Sequence, residues 1–239
     1  MPNGHNMRVF WRVVKWSVSL LLCVICGILI WRLCSSGDPE KVKYLMGNEA
    51  LYQAYDEQGD DLILQYQNQD TITLAEYNRG YFSITQYVFI PEAKQVQLVF
   101  RYNNSTIKNL AKDYGLAEIP DKSEELFDLT LVTVLDNTPD NREDNEDADA
   151  RTTTRYYPSA ATRTETSLYT YYRFVFDDIE VTSDMLYVFA DIYYEGDLDY
   201  EKRPYGTLCL YDDQSEWVTY KLSRTERKML SKERTSKRG

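Results

Sequence analysis

Histidine is nearly absent. The 239 residues contain one, His5, and it lies upstream of the longest apolar run. Everything after that run therefore lacks a Ser-His-Asp site, a Cys-His nucleophile or a His-ligated zinc. Cysteine is scarce as well: Cys23 and Cys26 sit within the apolar run, Cys34 at its edge, and Cys209 stands alone in the body. One body cysteine cannot form a disulfide framework, so the domain has to rest on its core. An exported domain of this kind suits bacteria better than a eukaryotic secretory route. Cys23-x-x-Cys26 has redox spacing, but in apolar surroundings a thiolate is disfavoured, and both read as small apolar residues. There are ten glycines and no Gly-x-Gly-x-x-Gly or Gly-Lys-Ser/Thr loop to cradle a phosphate. No cofactor motif is left.

Charge is missing from Trp16 to Trp31, sixteen residues closed at both ends by Trp, with Lys15 and Arg32 just outside. At 1.5 Å per residue this core spans roughly 24 Å, and Val13, Val14 and Leu33 extend it toward the roughly 30 Å of a bilayer. Two Trp residues one span apart match an aromatic belt, and the flanking Lys15 and Arg32 can snorkel. The reading is a transmembrane helix over 13–33, anchored by Lys15, Trp16, Trp31 and Arg32. A cleavable signal peptide shares the basic start and the apolar run, but Trp31-Arg32-Leu33 is a bulky, charged cleavage region. Basic residues near the helix are balanced: Arg8, Arg12 and Lys15 before it, Arg32, Lys41 and Lys43 after it. The upstream set is undiluted by acids, which favours a short N-terminus inside and a long domain outside.

Beyond this helix the chain turns acidic. Residues 38–220 hold 15 basic and 36 acidic residues, a net of −21, and all 21 tyrosines lie after position 43. Such a body repels nucleic acid and anionic lipid. Tyrosine suits a half-buried sheet, ring inward and hydroxyl wet.

Asp38-Pro39 has the form of a helix start, and residues 34–59 read as a juxtamembrane helical spacer. Strands follow: 61–66 and 71–77 around a polar turn, then 81–90 and 94–102 as a hairpin across Pro91. In the last strand Val96, Leu98, Phe100 and Tyr102 face one way and Gln95, Gln97, Val99 and Arg101 the other, the period of a half-buried strand. Ser105 is placed to cap one inserted helix, Thr106–Tyr114, closed by Gly115. A strand over 127–135 leads to an acidic stretch, 136–151, with nothing large and apolar to bury; it reads as a mobile loop. Residues 152–166 read as extended, and 167–177 and 185–194 as a second hairpin across residues 182–184. Strands at 205–211 and 217–222 precede Ser223-x-x-Glu226, a capping box at the start of a basic C-terminal helix or tail, 223–239.

The expected class is mainly β: a transmembrane helix, then an antiparallel β-sandwich over 60–222, immunoglobulin-like in the loose sense, with one inserted helix and a short C-terminal helix. The Cys…Trp…Cys spacing of true immunoglobulin domains is missing. Glu195, Asp197 and Asp199 alternate around Gly196, with Asp212 and Asp213 further on. Hard oxygen ligands of this kind suit Ca²⁺, although the spacing is not that of a calcium loop, and a solvated acidic turn is the plainer reading.

Trp31-Arg32-Leu33 with Ser35-Ser36-Gly37, Phe100-Arg-Tyr-Asn-Asn-Ser-Thr106 with Asp113-Tyr-Gly-Leu116, and Tyr205-Gly-Thr-Leu-Cys-Leu-Tyr211 carry a resemblance. They resemble single-pass membrane proteins of Gram-positive gut bacteria. The resemblance covers most of the chain and implies a location in the cell membrane, with no activity attached.

Three functions remain open. One is a non-enzymatic ectodomain that contacts the bilayer through its anchor and binds a protein or cell-wall polymer. Another is an accessory subunit of a membrane complex, joined through Ser17, Ser19, Cys23, Cys26 and Gly27. The third is a hydrolase using carboxylates or a metal. The eight basic residues after position 220 are expected to contact lipid headgroups, an acidic wall polymer or the domain's own acidic loop, Asp136–Asp149.

Overall fold

The computed structural model describes residues 4–34, 40–67, 81–136, 151–180, 185–211 and 217–238. The chain divides into two compact units, residues 1–37 and 38–239.

The first unit is one helix, α1 (Gly4–Cys34). Its segment Trp11–Ile30 has a mean hydropathy of 2.4 and is long and apolar enough to cross a membrane. Lys15 and Trp16 are exposed on it, and the side chains of Trp31 and Arg32 lie outside the described residues.

The second unit is mainly β, with two antiparallel sheets. Its strands are β1 (Ile63–Gln67), β2 (Phe82–Ile90), β3 (Gln95–Asn103), β4 (Phe127–Asp136), β5 (Arg151–Tyr156), β6 (Ala160–Glu165), β7 (Tyr169–Phe176), β8 (Met185–Tyr194), β9 (Gly206–Tyr211) and β10 (Trp217–Lys221). The larger sheet has the order β10-β1-β2-β3-β7-β6 and the smaller β5-β4-β8-β9. One core joins them. Phe82, Phe100 and Tyr102 from the larger sheet meet Phe127 of the smaller at centroid distances of 5.2, 6.3 and 4.9 Å. Gly206 leaves room for this cluster, since a Cβ there would lie 2.9 Å from the Phe82 ring.

The hairpin β2–β3 forms as its alternation predicts, turning on Pro91–Ala93 with Lys94 at φ 46°. The expected pairing of β7 with β8 does not form. β7 lies between β3 and β6, whereas β8 pairs with β4 and β9. The chain leaves the larger sheet after Phe176, and buried Ile179 redirects it by donating its N–H to the Lys94 carbonyl at 2.8 Å. The 152–166 stretch is two strands, and Asp136 pairs with Arg151, so these two residues belong to β4 and β5 rather than to a loop. Likewise β10 pairs with β1, not with its sequence neighbour β9. The inserted helix is α4 (Thr106–Asp113). Ser105 does not cap it through its side chain; instead its N–H is held by Asn103 Oδ1 at 2.9 Å. Gly115, at φ 61°, follows the helix as expected. The proposed strand over 71–77, most of the acidic loop, Asp38-Pro39, Asp212 and Asp213 lie outside the described residues.

Part of the second face of the larger sheet is covered rather than solvated. Gln95 and Gln97 are fully buried, as is Arg173 on β7. They lie under residues 42–58, which include α2 (Glu40–Lys43) and α3 (Glu49–Gln58). The described part of the supposed spacer, 40–59, is therefore packed into the domain. Val42, Leu45, Leu51, Tyr52 and Ala54 are buried, the last four in a second core with Leu64, Val88 and Ile90. Arg173 donates to the Val42 carbonyl through Nε (2.9 Å) and Nη2 (2.7 Å), to Gln97 Oε1 (3.2 Å), and to Gln86 Oε1. Gln97 also binds both the N–H and the carbonyl of Met46, each at 2.8 Å. Gln97 Nε2 donates to Gln95 Oε1 at 2.7 Å, and Gln95 donates on to Asn48 and Asp177, both at 2.8 Å. Asn48 caps α3, accepting from Leu51 N–H at 3.0 Å.

The basic C-terminal segment is α5 (Arg224–Arg238), opened by the predicted capping box: Glu226 N–H to Ser223 Oγ at 3.2 Å, Ser223 N–H to Glu226 Oε2 at 2.7 Å. It docks on the domain's own acids. Arg227 pairs with Asp60 at 2.5 Å and Arg234 with Asp56, while Leu222 and Leu230 enter the second core.

Replacing Arg173 with Met should lower the unfolding free energy by about 2–3 kcal/mol, because it strands buried acceptors. In urea titration with hydrogen exchange, the amides of 42–58 should lose protection before those of β2 and β3; unchanged protection would refute this. A pH effect follows from Asp177. Burial pushes its carboxyl up, but hydrogen bonds from Ser159, Gln95 and Asn48 outweigh that and hold it below the ordinary 3.8. A depressed folded value contributes stability that is present above the unfolded value and lost as pH falls through the folded one. Asp177→Asn should therefore flatten the acid limb of a stability–pH curve below about pH 4.

Candidate functional site

The helices cover only part of the outer face of the larger sheet. Further along β2, β3 and β7 the same face opens into a groove of about 330 Å³ lined by Tyr81, Phe82, Ser83, Arg101, Tyr102, Asn103 and Tyr169. Strand register builds it. Ser83 on β2 pairs with Arg101 on β3, and Arg101 with Tyr171 on β7; Asn103 pairs with Tyr169. Alternation places Arg101 on the same face as Gln97 and Arg173, two residues beyond the covered region.

Two contacts hold the Arg101 guanidinium. Its Nε donates to Ser83 Oγ at 2.8 Å, and its carbon lies 4.9 Å above the Tyr169 ring. Tyr169 is itself 6.2 Å from Tyr171. Among the described residues neither terminal nitrogen has an acceptor, and no carboxylate pairs with this arginine. In a body of net −21 that is unusual. The guanidinium is pre-oriented, stacked on an aromatic ring, with its two-nitrogen edge free, the arrangement suited to planar oxyanions. Among the described lining residues there is no His, Cys, Asp, Glu or Lys.

The residues expected to hold a metal are not brought together on a cation position. Asp197 and Asp199 both face Lys202, at 3.1 and 3.8 Å, and Asp199 Oδ1 also accepts from Glu201 N–H at 3.0 Å. Glu195 is exposed; burial first, and the charges of Asp128 and Glu125 second, push its carboxyl up. Among the described residues no group of three His, Cys, Asp or Glu side chains is placed to hold an ion.

A second polar cluster lies on the smaller sheet. Asp191 accepts from Thr207 Oγ1 at 2.7 Å and lies 3.8 Å from Arg155. Burial, the largest influence, pushes its carboxyl up against both partners. Tyr200 donates to Asp128 at 2.5 Å, and its ring meets Tyr193 and Tyr157 edge-on. Asp191, Asp128 and Tyr200 are paired within the cluster, whereas the buried Tyr193 hydroxyl has no hydrogen-bond partner among the described residues.

Sequence reasoning assigned Arg101 to the outward side of β3 but gave it no function. Nothing local marks it; Ser83, Arg101 and Tyr169 are neighbours only through strand pairing. Comparison with protein-family models, curated proteins and solved structures returns no match.

Arg101 and Arg173 should respond oppositely to truncation. Arg101→Met removes one hydrogen bond at a half-open site, so stability should change by no more than about 0.5 kcal/mol. Urea unfolding of both variants checks this; a loss at Arg101 as large as at Arg173 would make it a structural residue.

Proposed function

We propose that this chain is a membrane-anchored, extracytoplasmic binding protein without enzymatic activity. Helix α1 crosses the bilayer with its N-terminus inside. The two sheets stack as a β-sandwich, immunoglobulin-like in the loose sense, held outside the cell. The observation that carries the reading is the exposed apolar surface of α1: from Trp16 to Ile30 every side chain is exposed, among them Leu20, Leu21, Leu22, Ile25 and Ile28. An apolar helix of this length requires lipid around it. The bulky Trp31-Arg32-Leu33 after it favours retention over cleavage. The resemblance to single-pass membrane proteins of Gram-positive gut bacteria belongs to the same reading, with a protein or wall polymer as the partner.

A binding role, rather than catalysis, is supported by the groove beside Arg101, which offers a cation and tyrosines without a nucleophile or base. The net charge of −15 over residues 38–239 argues against nucleic acid.

Protease added to wall-stripped cells should degrade residues 60–220 and spare the N-terminal dozen, read by immunoblot with tags at each end. Protection of the whole body would place the domain in the cytoplasm.

A further inference from the structure

We infer that the Arg101 groove binds a sugar unit bearing a single oxyanion, carboxylate or phosphate, within a ligand of low charge density. The inference rests on the binding reading above and names the ligand class.

Three features of the site lead there. The first is the guanidinium: with Nε committed to Ser83 and the face on Tyr169, its remaining edge, which meets no acceptor among the described residues, presents two parallel N–H donors. That edge matches a carboxylate or phosphate bidentately. Second, the accessible rings of the lining are Tyr81 and Tyr169, beside the polar Ser83 and Asn103, while the Phe82 and Tyr102 side chains are buried in the core. Asn103 Oδ1 is taken by Ser105 N–H, which leaves the amide nitrogen as a donor. Rings beside short polar groups suit a hydroxylated ring, with one apolar face and a polar rim, better than a greasy ligand. About 330 Å³ is at the lower end of small-ligand sites, enough for one or two sugar rings.

The third feature is the surrounding charge. Residues 38–239, with the docked basic helix included, carry 23 basic and 38 acidic residues, a net −15. A polyphosphate or nucleic acid would meet repulsion along its whole length, within a Debye length of about 8 Å at physiological salt, against one attractive cation. One oxyanion every few sugar units escapes most of that repulsion and retains the Arg101 contact. The site thus selects for an isolated charge.

The test uses the full chain in detergent and calorimetric titration with defined probes. These are a disaccharide of one glucuronate and one neutral hexose, its methyl ester, and the corresponding disaccharide carrying one phosphate in place of the carboxylate. The wild type should bind at least one of the two anionic forms at least tenfold more tightly than the neutral ester. Arg101→Met should remove that preference with the fold intact by circular dichroism. Arg101→Lys, which keeps the charge and loses the fork, should fall in between. Tyr169→Ala should also weaken binding, because it removes the support under the guanidinium. Equal binding of ester and acid, no binding of any probe, or an unchanged preference in Arg101→Met would overturn the inference. None of these results bears on which side of the membrane the domain occupies, which the protease experiment reports separately.

Discussion

A buried cation without a carboxylate at its side organises the outer half of this domain. Arg173 is fully buried, and burial alone pulls its pKa down to about 10, against weak help from Tyr220 and Glu226. It remains charged at neutral pH, so its donors require acceptors, and the chain supplies carbonyl oxygens: Val42, Gln97 and Gln86. Those acceptors come from one short helix, α2, and two strands. The requirement to satisfy one guanidinium therefore fixes the path of residues 42–46 over the sheet. The same hydrogen-bond chain runs on through Gln97 and Gln95 to the Asp177 carboxylate. A chain of amides of this kind specifies one register for the covering segment, since sliding it would leave several buried groups unpaired.

Local features of the fold were legible in the sequence, and non-local ones were not. The β2–β3 hairpin is announced by Pro91 and by clean alternation, and the capping box at Ser223 is a four-residue signal that the structure reproduces. The role of Gln95 and Gln97 was misread because polar side chains on the outward positions of a strand ordinarily face water. Here they meet Asn48, Asp177 and Met46, more than 45 positions away, and no periodicity records such partners. The same limit explains the pairing of β7. Eight residues separate it from β8, a length compatible with a hairpin or with a crossing between sheets. What decides is the burial of Ile179 and its bond to Lys94, a tertiary event. Arg101 was invisible as a site for the same reason.

The two outward-facing arginines of the larger sheet divide its face between structure and recognition. They occupy adjacent strands, Arg173 opposite Val99 and Arg101 two residues on. One is saturated by main-chain and amide oxygens and shut beneath helices. The other is held by a hydroxyl and a ring and left with its donors open. The same side chain thus does two jobs, and the boundary between them is where the covering layer stops.

Strand β1 gains its second neighbour only from β10, with Ile63 opposite Lys221, and the layer beneath α3 is completed by Leu222 and Leu230. More than 150 residues separate these partners, so their closure is a high-contact-order step. During synthesis the chain emerges from its N-terminal side, and β1 has to wait for β10 and α5 to appear. Until then β1 is an open sheet edge, the feature most prone to pair with another chain. Asp60 and Asp61 flank that waiting edge, and in the finished domain they receive Arg227 and Lys221. The acids that later seat α5 thus serve first as a charged guard against mispairing, and closure of this layer is timed by the arrival of β10 and α5.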